Sequence, residues 1–482
     1  MGLGERIRSW LHPAAYLAHN RITLAGAVVT TSSAVTILLF FGFDLLFGAN
    51  VHPYSGIMLF LILPAIFLVG LLLIPAGMLW QRRRRGPRAS TTQQNVQLDF
   101  TKAVVRQTFG WIAGLTIVNI LILGIASYRS VEYMDSSKFC GQTCHTVMEP
   151  EFTTYENSPH QRVGCVQCHI GPGASWFVRS KLSGVRQVVA VTFHTYDRPI
   201  PSPVEQLRPA RETCEQCHWP QMFTGDRFVV RTHYGEDEKN TPKKTILILK
   251  IGGSGAHGGV GIHGRHLDLA SPIRYVPQDR QRQVIPVVFY GEGAGKQIQF
   301  ASGDAKAVQQ QVASGDPRTM DCIDCHNRPT HVFQLPEEAV DLALSQKSIS
   351  ADLPFIKKVG VEALKGNYAG QEAAAQGIAA RINEFYRASY PELYRGQSAL
   401  IDAAIRELQL IYARNVFPKM KVSWGTYPNN LGHTDFPGCF RCHDGSHTSA
   451  DGQTIPNDCD TCHTLLAVDE TDPKVLAELG MK

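Results

Sequence analysis

The sequence predicts three membrane-spanning α-helices near its start. They are followed by a water-exposed region of little regular structure, with a small β-rich insert and a helical spacer. Three observations carry this reading. Three apolar runs of bilayer length lie in the first 128 residues, paired cysteines recur only after them, and strand-like and helix-like patterns occupy two intervals between those pairs.

The apolar runs extend from Ile22 to Phe43, Ile57 to Trp80 and Phe109 to Tyr128. At ~1.5 Å per residue each is long enough to cross a hydrocarbon core. Pro64 and Pro75 kink the second run without disqualifying it, since proline is tolerated in membrane helices. Arg6, Arg8 and Arg21 precede the first run, and Arg82, Arg83, Arg84, Arg85 and Arg88 follow the second. The positive-inside rule puts both flanks in the cytoplasm, the loop around His52 outside, and everything after Tyr128 outside. A net charge of +5 over 482 residues is not a nucleic-acid-binding balance. The resulting division is a cytoplasmic N-terminus (1–21), two membrane helices (22–80), a basic linker (81–108) and a third membrane helix (109–128). None of the runs contains a histidine, which argues against a b-type haem held between membrane helices. Asp44 and Asn119 are the polar residues within or beside them, and Asp44 is a candidate for proton exit.

All twelve cysteines fall into six pairs, each followed directly by a histidine. The pairs are Cys140/Cys144–His145, Cys165/Cys168–His169, Cys214/Cys217–His218, Cys322/Cys325–His326, Cys439/Cys442–His443 and Cys459/Cys462–His463. Five have the C-x-x-C-H spacing of covalent c-type haem attachment, and the first carries one extra residue. Two thiols close on the two vinyl groups of one porphyrin edge, and the adjacent imidazole reaches the iron. Structural zinc would explain the cysteine pairs and leave the six histidines unexplained. The expected cofactors are six covalently attached haem c groups, so the exposed region is a periplasmic, haem-packed, multihaem cytochrome c region.

First cysteines of motifs one and two are 25 residues apart, and those of motifs five and six 20 apart, so the porphyrins within each pair should stack. The gaps before motifs three, four and five are 49, 108 and 117 residues. Segment 221–320 contains β-branched or aromatic runs at Phe228, Thr245, Ile273, Gln283 and Gln297, bounded by Gly, Pro and Asp, and reads as a β-rich insert. Segment 336–416 has helical periodicity and reads as the spacer that positions the last haem pair. The haem-bearing pieces are then 129–220 with three motifs, 321–335 with the fourth, and 417–482 with the last two.

Six irons with proximal histidines call for up to six distal ligands. The nine remaining periplasmic histidines suit bis-histidine ligation of most haems, which gives closed, electron-transferring iron. The candidates are His160, His194, His331, His433 and His447. From the glycine-rich loop Gly252–His266, which also contains His257, His263 and His266 are expected to enter from extended backbone. His233 is the weakest candidate. Motif one differs: its extra residue and the nearby Met148 point to methionine on that iron or to an open face.

From Phe139 to His218 the sequence resembles the NapC/NirT family (NrfH-like) of membrane-anchored quinol dehydrogenases, here in a longer hexahaem form with three membrane helices. The matching elements are a membrane helix, a first haem motif with a nearby methionine (Met148), Ser158-Pro-His160 ahead of Cys165-Val-Gln-Cys-His169, and Gly171-Pro-Gly with a following amphipathic stretch. The resemblance implies that Lys181, twelve residues beyond His169, lies near the quinol. The family's acidic residue seven positions further is replaced by Val188. Residues from Trp176 to Phe193 interleave apolar side chains with Arg179, Lys181 and Arg186, the composition of a helix lying in a membrane interface.

These readings converge on an inner-membrane cytochrome that oxidises menaquinol or ubiquinol at the periplasmic face, with Lys181 polarising a quinol oxygen. Its partners would be the lipid bilayer, the quinol, and periplasmic c-type cytochromes or a terminal reductase, with no nucleic acid. One alternative is a passive electron-transfer subunit docked through its extra helices. The other is a haem-based terminal reductase of a small oxyanion, although the lysine-bearing C-x-x-C-K motif of the pentahaem nitrite reductases does not occur.

Overall fold

The computed structural model describes residues 20–47, 62–84, 101, 103–143, 145–171, 174–204, 207–219, 225–252, 261–292, 296–303 and 316–481. The chain divides into two compact units, Met1–Thr143 and Cys144–Lys482.

The first unit holds α1 (Arg21–Phe47), α2 (Leu63–Arg84) and α3 (Ala103–Met134), then a π-turn at Phe139–Thr143. Each of these three helices contains a span long and apolar enough to cross a membrane. Most of their large apolar side chains point outward, Leu39 being 70% and Ile120 63% exposed. That is the pattern of helices whose solvent is lipid. α1 and α2 pack closely because glycine faces backbone at the crossing. A Cβ on Gly26 would stand 2.9 Å from the Gly70 carbonyl oxygen, and one on Gly77 would stand 2.5 Å from the Thr23 hydroxyl. Asn20 Nδ2 adds a hydrogen bond to the Gly77 carbonyl at 3.0 Å. Small residues allow this approach where no hydrophobic force drives helices together. The third helix starts at Ala103 and runs to Met134, so it takes in part of the predicted 81–108 linker. His52 and residues 57–61 of the second predicted run lie outside the described residues. Asp44 falls within α1, and Asn119 is half-buried on α3.

The second unit begins with α4 (His145–Glu156), α5 (Cys165–His169), α6 (Ala174–Thr192) and α7 (Ala210–Cys214). The expectation of little regular structure in 129–220 is therefore corrected. The haem motifs are punctuated by real helices, and α6 alone spans 19 residues. Strands β1 (Arg227–Tyr234) and β2 (Pro242–Leu249) form a hairpin, and α8 (Ile262–His266) follows. Next come β3 (Ile273–Val276), β4 (Val287–Glu292), β5 (Lys296–Ala301), β6 (Arg318–Thr319) and α9 (Cys322–Cys325).

Helices α10 (Pro336–Ser345), α11 (Ile356–Leu364), α12 (Gln371–Ser389), α13 (Pro391–Gly396) and α14 (Ser398–Asn415) make a helical module. The chain closes with β7 (Thr448–Ser449), α15 (Cys459–Cys462), β8 (His463–Glu470) and α16 (Lys474–Glu478).

Two antiparallel sheets result, ordered β1-β2-β8 and β6-β3-β4-β5-β7. The β-rich insert is thus not self-contained: β8 pairs with β2 and β7 with β5, so residues after 440 complete both sheets. A run that scans as the tail of a haem segment, His463–Glu470, is a strand because its alternate residues Leu465 and Ala467 meet Leu247 and Ile246 across the ladder.

The module buries its core by helical spacing. Ala374, Ile378, Ile382 and Tyr386 recur every four residues along α12, and Ile401, Leu408 and Ile411 face them from α14. The β1–β2 hairpin tip is bolted to this core by Asn240. Its Nδ2 donates to the carbonyls of Ala351 (2.9 Å) and Leu353 (2.8 Å), and its Oδ1 accepts from the Lys357 amide.

Candidate functional site

The site is built from short helices that carry cysteines and end in histidine. α5 and α9, and the turn Gly438–Arg441, place the two cysteines of a motif on one side and deliver the following ring. No disulfide involves the eleven described cysteines, which leaves them available for thioether attachment. Among the described residues no three His, Cys, Asp or Glu side chains converge as a zinc site would need.

Five of the motif histidines each face one distant histidine. His160 and His218 have ring centroids 6.0 Å apart. The corresponding separations are 6.2 Å for His169 and His331, 6.3 Å for His263 and His326, 5.8 Å for His266 and His443, and 6.1 Å for His433 and His463. Two imidazoles bound to opposite faces of one metal, with metal–nitrogen bonds of about 2.0 Å, put their centroids roughly 6 Å apart. The residues present therefore fit haem iron between each pair.

The rings are also oriented. Nδ1 of His331 donates to the Glu151 carbonyl at 2.8 Å, that of His263 to Ile251 at 3.0 Å, and that of His266 to Ile262 at 2.8 Å. His443 Nδ1 donates to Pro456 at 2.6 Å, and His160 Nδ1 lies 3.2 Å from the Pro329 carbonyl. A carbonyl only accepts, so each of these rings carries its proton on Nδ1 and leaves the Nε2 lone pair for a metal. Desolvation, the largest cause in each case, holds His169, His263, His266, His326, His331 and His463 below the usual imidazole range and so in the neutral, ligating form.

The attachment sites of motifs two to six form a continuous series. The Cys168 sulfur lies near those of Cys214 and Cys217, and the Cys214 sulfur lies beside that of Cys322. His326 senses His218, Cys325 senses Cys439, Cys442 senses Cys325, and Cys462 senses Cys439. Motif four thus lies beside both motif three and motif five. Gaps of 108 and 117 residues in the sequence do not separate these sites in space, because the chain leaves, folds a sheet or the helical module, and returns.

Asp324, inside motif four and 2% exposed, anchors the junction. It accepts hydrogen bonds from Arg282 Nη1 and Arg318 Nε at 2.9 Å each, and from the Tyr275 hydroxyl at 2.7 Å. Nothing in the spacing of the motifs announces this residue. Its signal was only an acidic residue in a place the motif leaves free.

One expected ligand is corrected. His447 is 1% exposed, yet both ring nitrogens are engaged, Nδ1 with Asp444 at 2.9 Å and Nε2 with the Ile285 carbonyl at 2.7 Å. No lone pair is left for a metal, and its role is to tie the C-terminal segment to the sheet. His194 stands exposed just past α6 at φ 56°, beside Tyr196. His233 sits on β1 with Nε2 3.6 Å from Asp469. His263 and His266 enter from the helix α8 and not from extended backbone, because the Ile262, His263 and Gly264 amides bond to Lys250, Ile251 and Gly252 and set its first turn. His257 lies outside the described residues.

Motif one spans the boundary between the units. Cys140 is half-buried on the π-turn, whereas Cys144 and the His145 side chain lie outside the described residues. Met148, half-buried, is one turn along α4 from His145. On α6, Lys181 is half-buried, while Leu182, Val185, Val188 and Val189 are 68%, 65%, 54% and 50% exposed. These four make an unpartnered apolar row on an amphipathic helix.

A family model for the N-terminal region of the NapC/NirT cytochrome c family matches residues 102–205. The chain is 40% identical over 453 residues to the cytochrome c-type protein ImcH of Geobacter sulfurreducens, spanning 93% of this chain and 88% of that protein. It is 27% identical over 136 residues to the cytochrome c-type protein NrfH of Wolinella succinogenes, spanning 27% of this chain and 76% of that protein. No solved structure matches the chain.

Proposed function

This chain belongs to the NapC/NirT family of membrane cytochromes c, and from that premise we propose that it oxidises a membrane quinol and passes the electrons to a periplasmic acceptor. Proteins of this family carry covalent haem c and are anchored in the bacterial inner membrane with the haem domain in the periplasm. The three apolar helices fit that anchor. The quinol is menaquinol or ubiquinol, and the acceptor is a periplasmic c-type cytochrome or a terminal reductase. Six haems c are held at the six cysteine pairs.

The observation that carries this reading is the unbroken series of five ring pairs from motif two to motif six. Bound haem c would supply one-electron redox chemistry at each pair. Paired rings would close both faces of a bound iron, which favours electron transfer over reduction of a small oxyanion. Motif one, with Met148 nearby, is where a different ligand set enters. The exposed row on α6 would lie in the membrane interface, with Lys181 on the same helix. There the Lys181 ammonium would donate a hydrogen bond to a quinol oxygen and stabilise the anion as a proton leaves. At the far end of the series, Asp435, Asp444, Asp451, Asp458, Asp460, Asp469, Glu470, Asp472 and Glu478 are all exposed, whereas Lys474 is the single exposed cation from 435 to 478. An acidic exit face steers a basic partner.

Anaerobic mixing of the detergent-solubilised protein with a menaquinol analogue, followed in the haem absorption bands, tests the proposal. Rapid reduction that slows at least tenfold in Lys181→Ala is expected. Reduction by dithionite but not by quinol would leave a relay subunit and sink the dehydrogenase reading.

A further inference from the structure

The arginines around motif four are matched to acceptors, with one exception. Arg282 and Arg318 hold Asp324. Arg441, 9% exposed, donates to the carbonyls of Gly438 (2.8 Å), Arg282 (2.9 Å) and Asp324 (2.6 Å). Arg328 is 8% exposed, and its Nε and Nη2 have no hydrogen-bond partner although both are buried. Its Nη1 lies 3.4 Å from each Glu151 carboxylate oxygen, a long contact for an ion pair. The guanidinium plane is held over the Tyr427 ring at 3.9 Å. A buried cation with two N–H donors left without an acceptor is costly, and a fold that satisfies Arg441 shows what the alternative is.

Position identifies the missing acceptor. Arg328 lies between His326 and His331 in the chain, and Glu151 touches both Arg328 and the His331 ring, whose Nδ1 is 2.8 Å from the Glu151 carbonyl and 3.4 Å from its carboxylate. His331 faces His169. Besides its ring, haem c carries two propionate carboxylates, and a fork of two adjacent N–H groups is the donor that matches a carboxylate.

Resting on the haem reading above, we propose that Arg328 receives a propionate of the haem attached at Cys165 and Cys168, through Nε and Nη2. It is a positioning residue: it orients that porphyrin between His169 and His331 and places a positive charge beside it. The Glu151 carboxylate, on the opposite edge of the guanidinium, keeps the fork turned toward the haem. A cation near a haem disfavours the more positive, ferric form, so Arg328 raises this haem's midpoint potential.

The test is a redox titration of the full-length, haem-loaded protein by low-temperature paramagnetic resonance, comparing the wild type with Arg328→Gln and Arg328→Lys. His331→Ala identifies the haem, because loss of that ring removes one low-spin signal. The expected result is a lowered potential in Arg328→Gln for that signal alone, with partial return in Arg328→Lys, which keeps the charge and loses the fork. Unchanged potentials, or a shift confined to a signal that survives His331→Ala, overturn the proposal. So does equal loss of haem in the Gln and Lys variants, which marks a packing role. Haem content of the wild type, measured in the same samples as the pyridine haemochrome, stands separately: fewer than six haems per chain would count against the underlying reading and not against Arg328.

Discussion

The helical module of α10–α14 and the haem-motif region on either side of it are built on different principles. The module is an ordinary protein core: Ile378, Ile382, Tyr386 and Leu408 are fully buried, and α10, α11, α12 and α14 each contribute buried apolar side chains. Around the motifs the apolar clusters are small, one being Val147, Phe333, Phe417, Met420, Val422 and Tyr427, and Cys168, Cys217, Cys439 and Cys459 stand exposed. Side chains alone organise the first region. In the second they mostly position ligands and thiols, and covalent haem supplies the apolar mass. The comparison teaches that a multihaem chain can concentrate its self-sufficient folding in one interval and use it as scaffold for intervals that are not self-sufficient.

The widest break in that comparison comes from Cys165→Ser with Cys168→Ser. Losing the attachment at motif two should expose segments flanking His169 and His331 to limited proteolysis, while a fragment covering 336–416 survives intact by mass spectrometry. Equal cleavage of both regions would show that the module leans on the haems. The converse experiment is smaller. Leu408→Ala removes a fully buried side chain in contact range of Gly360. It should cost about 2–5 kcal/mol in the module's own unfolding transition, with the haem absorption bands unchanged below that transition.

The smallest effect sharpens the boundary between ligand and structural histidine. Burial works against the Asp444 charge, but hydrogen bonds from Ser446 and His447 prevail and hold its carboxyl at about 2, against an ordinary 3.8. A depressed carboxylate contributes stability above its ordinary value, and that contribution is lost as pH falls from about 4 toward 2. Because the Asp444 side chain is 38% exposed, the contribution is modest, about half a kcal/mol after screening. Acid titration of hydrogen exchange at 445–455 should show the step, and Asp444→Asn should flatten it without altering any low-spin haem signal.

Much of this architecture is legible in the sequence. Apolar runs of bilayer length and C-x-x-C-H groups are local patterns, and each follows from a short-range requirement, a hydrocarbon thickness in one case and a porphyrin edge in the other. What spacing cannot convey is return. His331 meets His169, and His160 meets His218, only because segments remote in sequence come back to the same place, and histidine counting treats His447 and His331 alike. The difference between them is a carbonyl, Ile285, that no pattern near His447 reveals. The same holds for β8, whose partner strand lies about two hundred residues upstream, and for Asp324, whose side-chain donors come from Tyr275, Arg282 and Arg318.

The five-residue helix α8 has a consequence for how this chain can change over time. His263 and His266 sit on it three residues apart, and they face His326 and His443 respectively. One residue inserted or deleted between them would turn one ring by about 100° relative to the other. The His263–His326 and His266–His443 pairs would then demand different registers of one short helix. The stretch 263–266 is therefore closed to length variation, however freely the loops around it drift, and it can evolve only by substitution at Gly264 and Arg265.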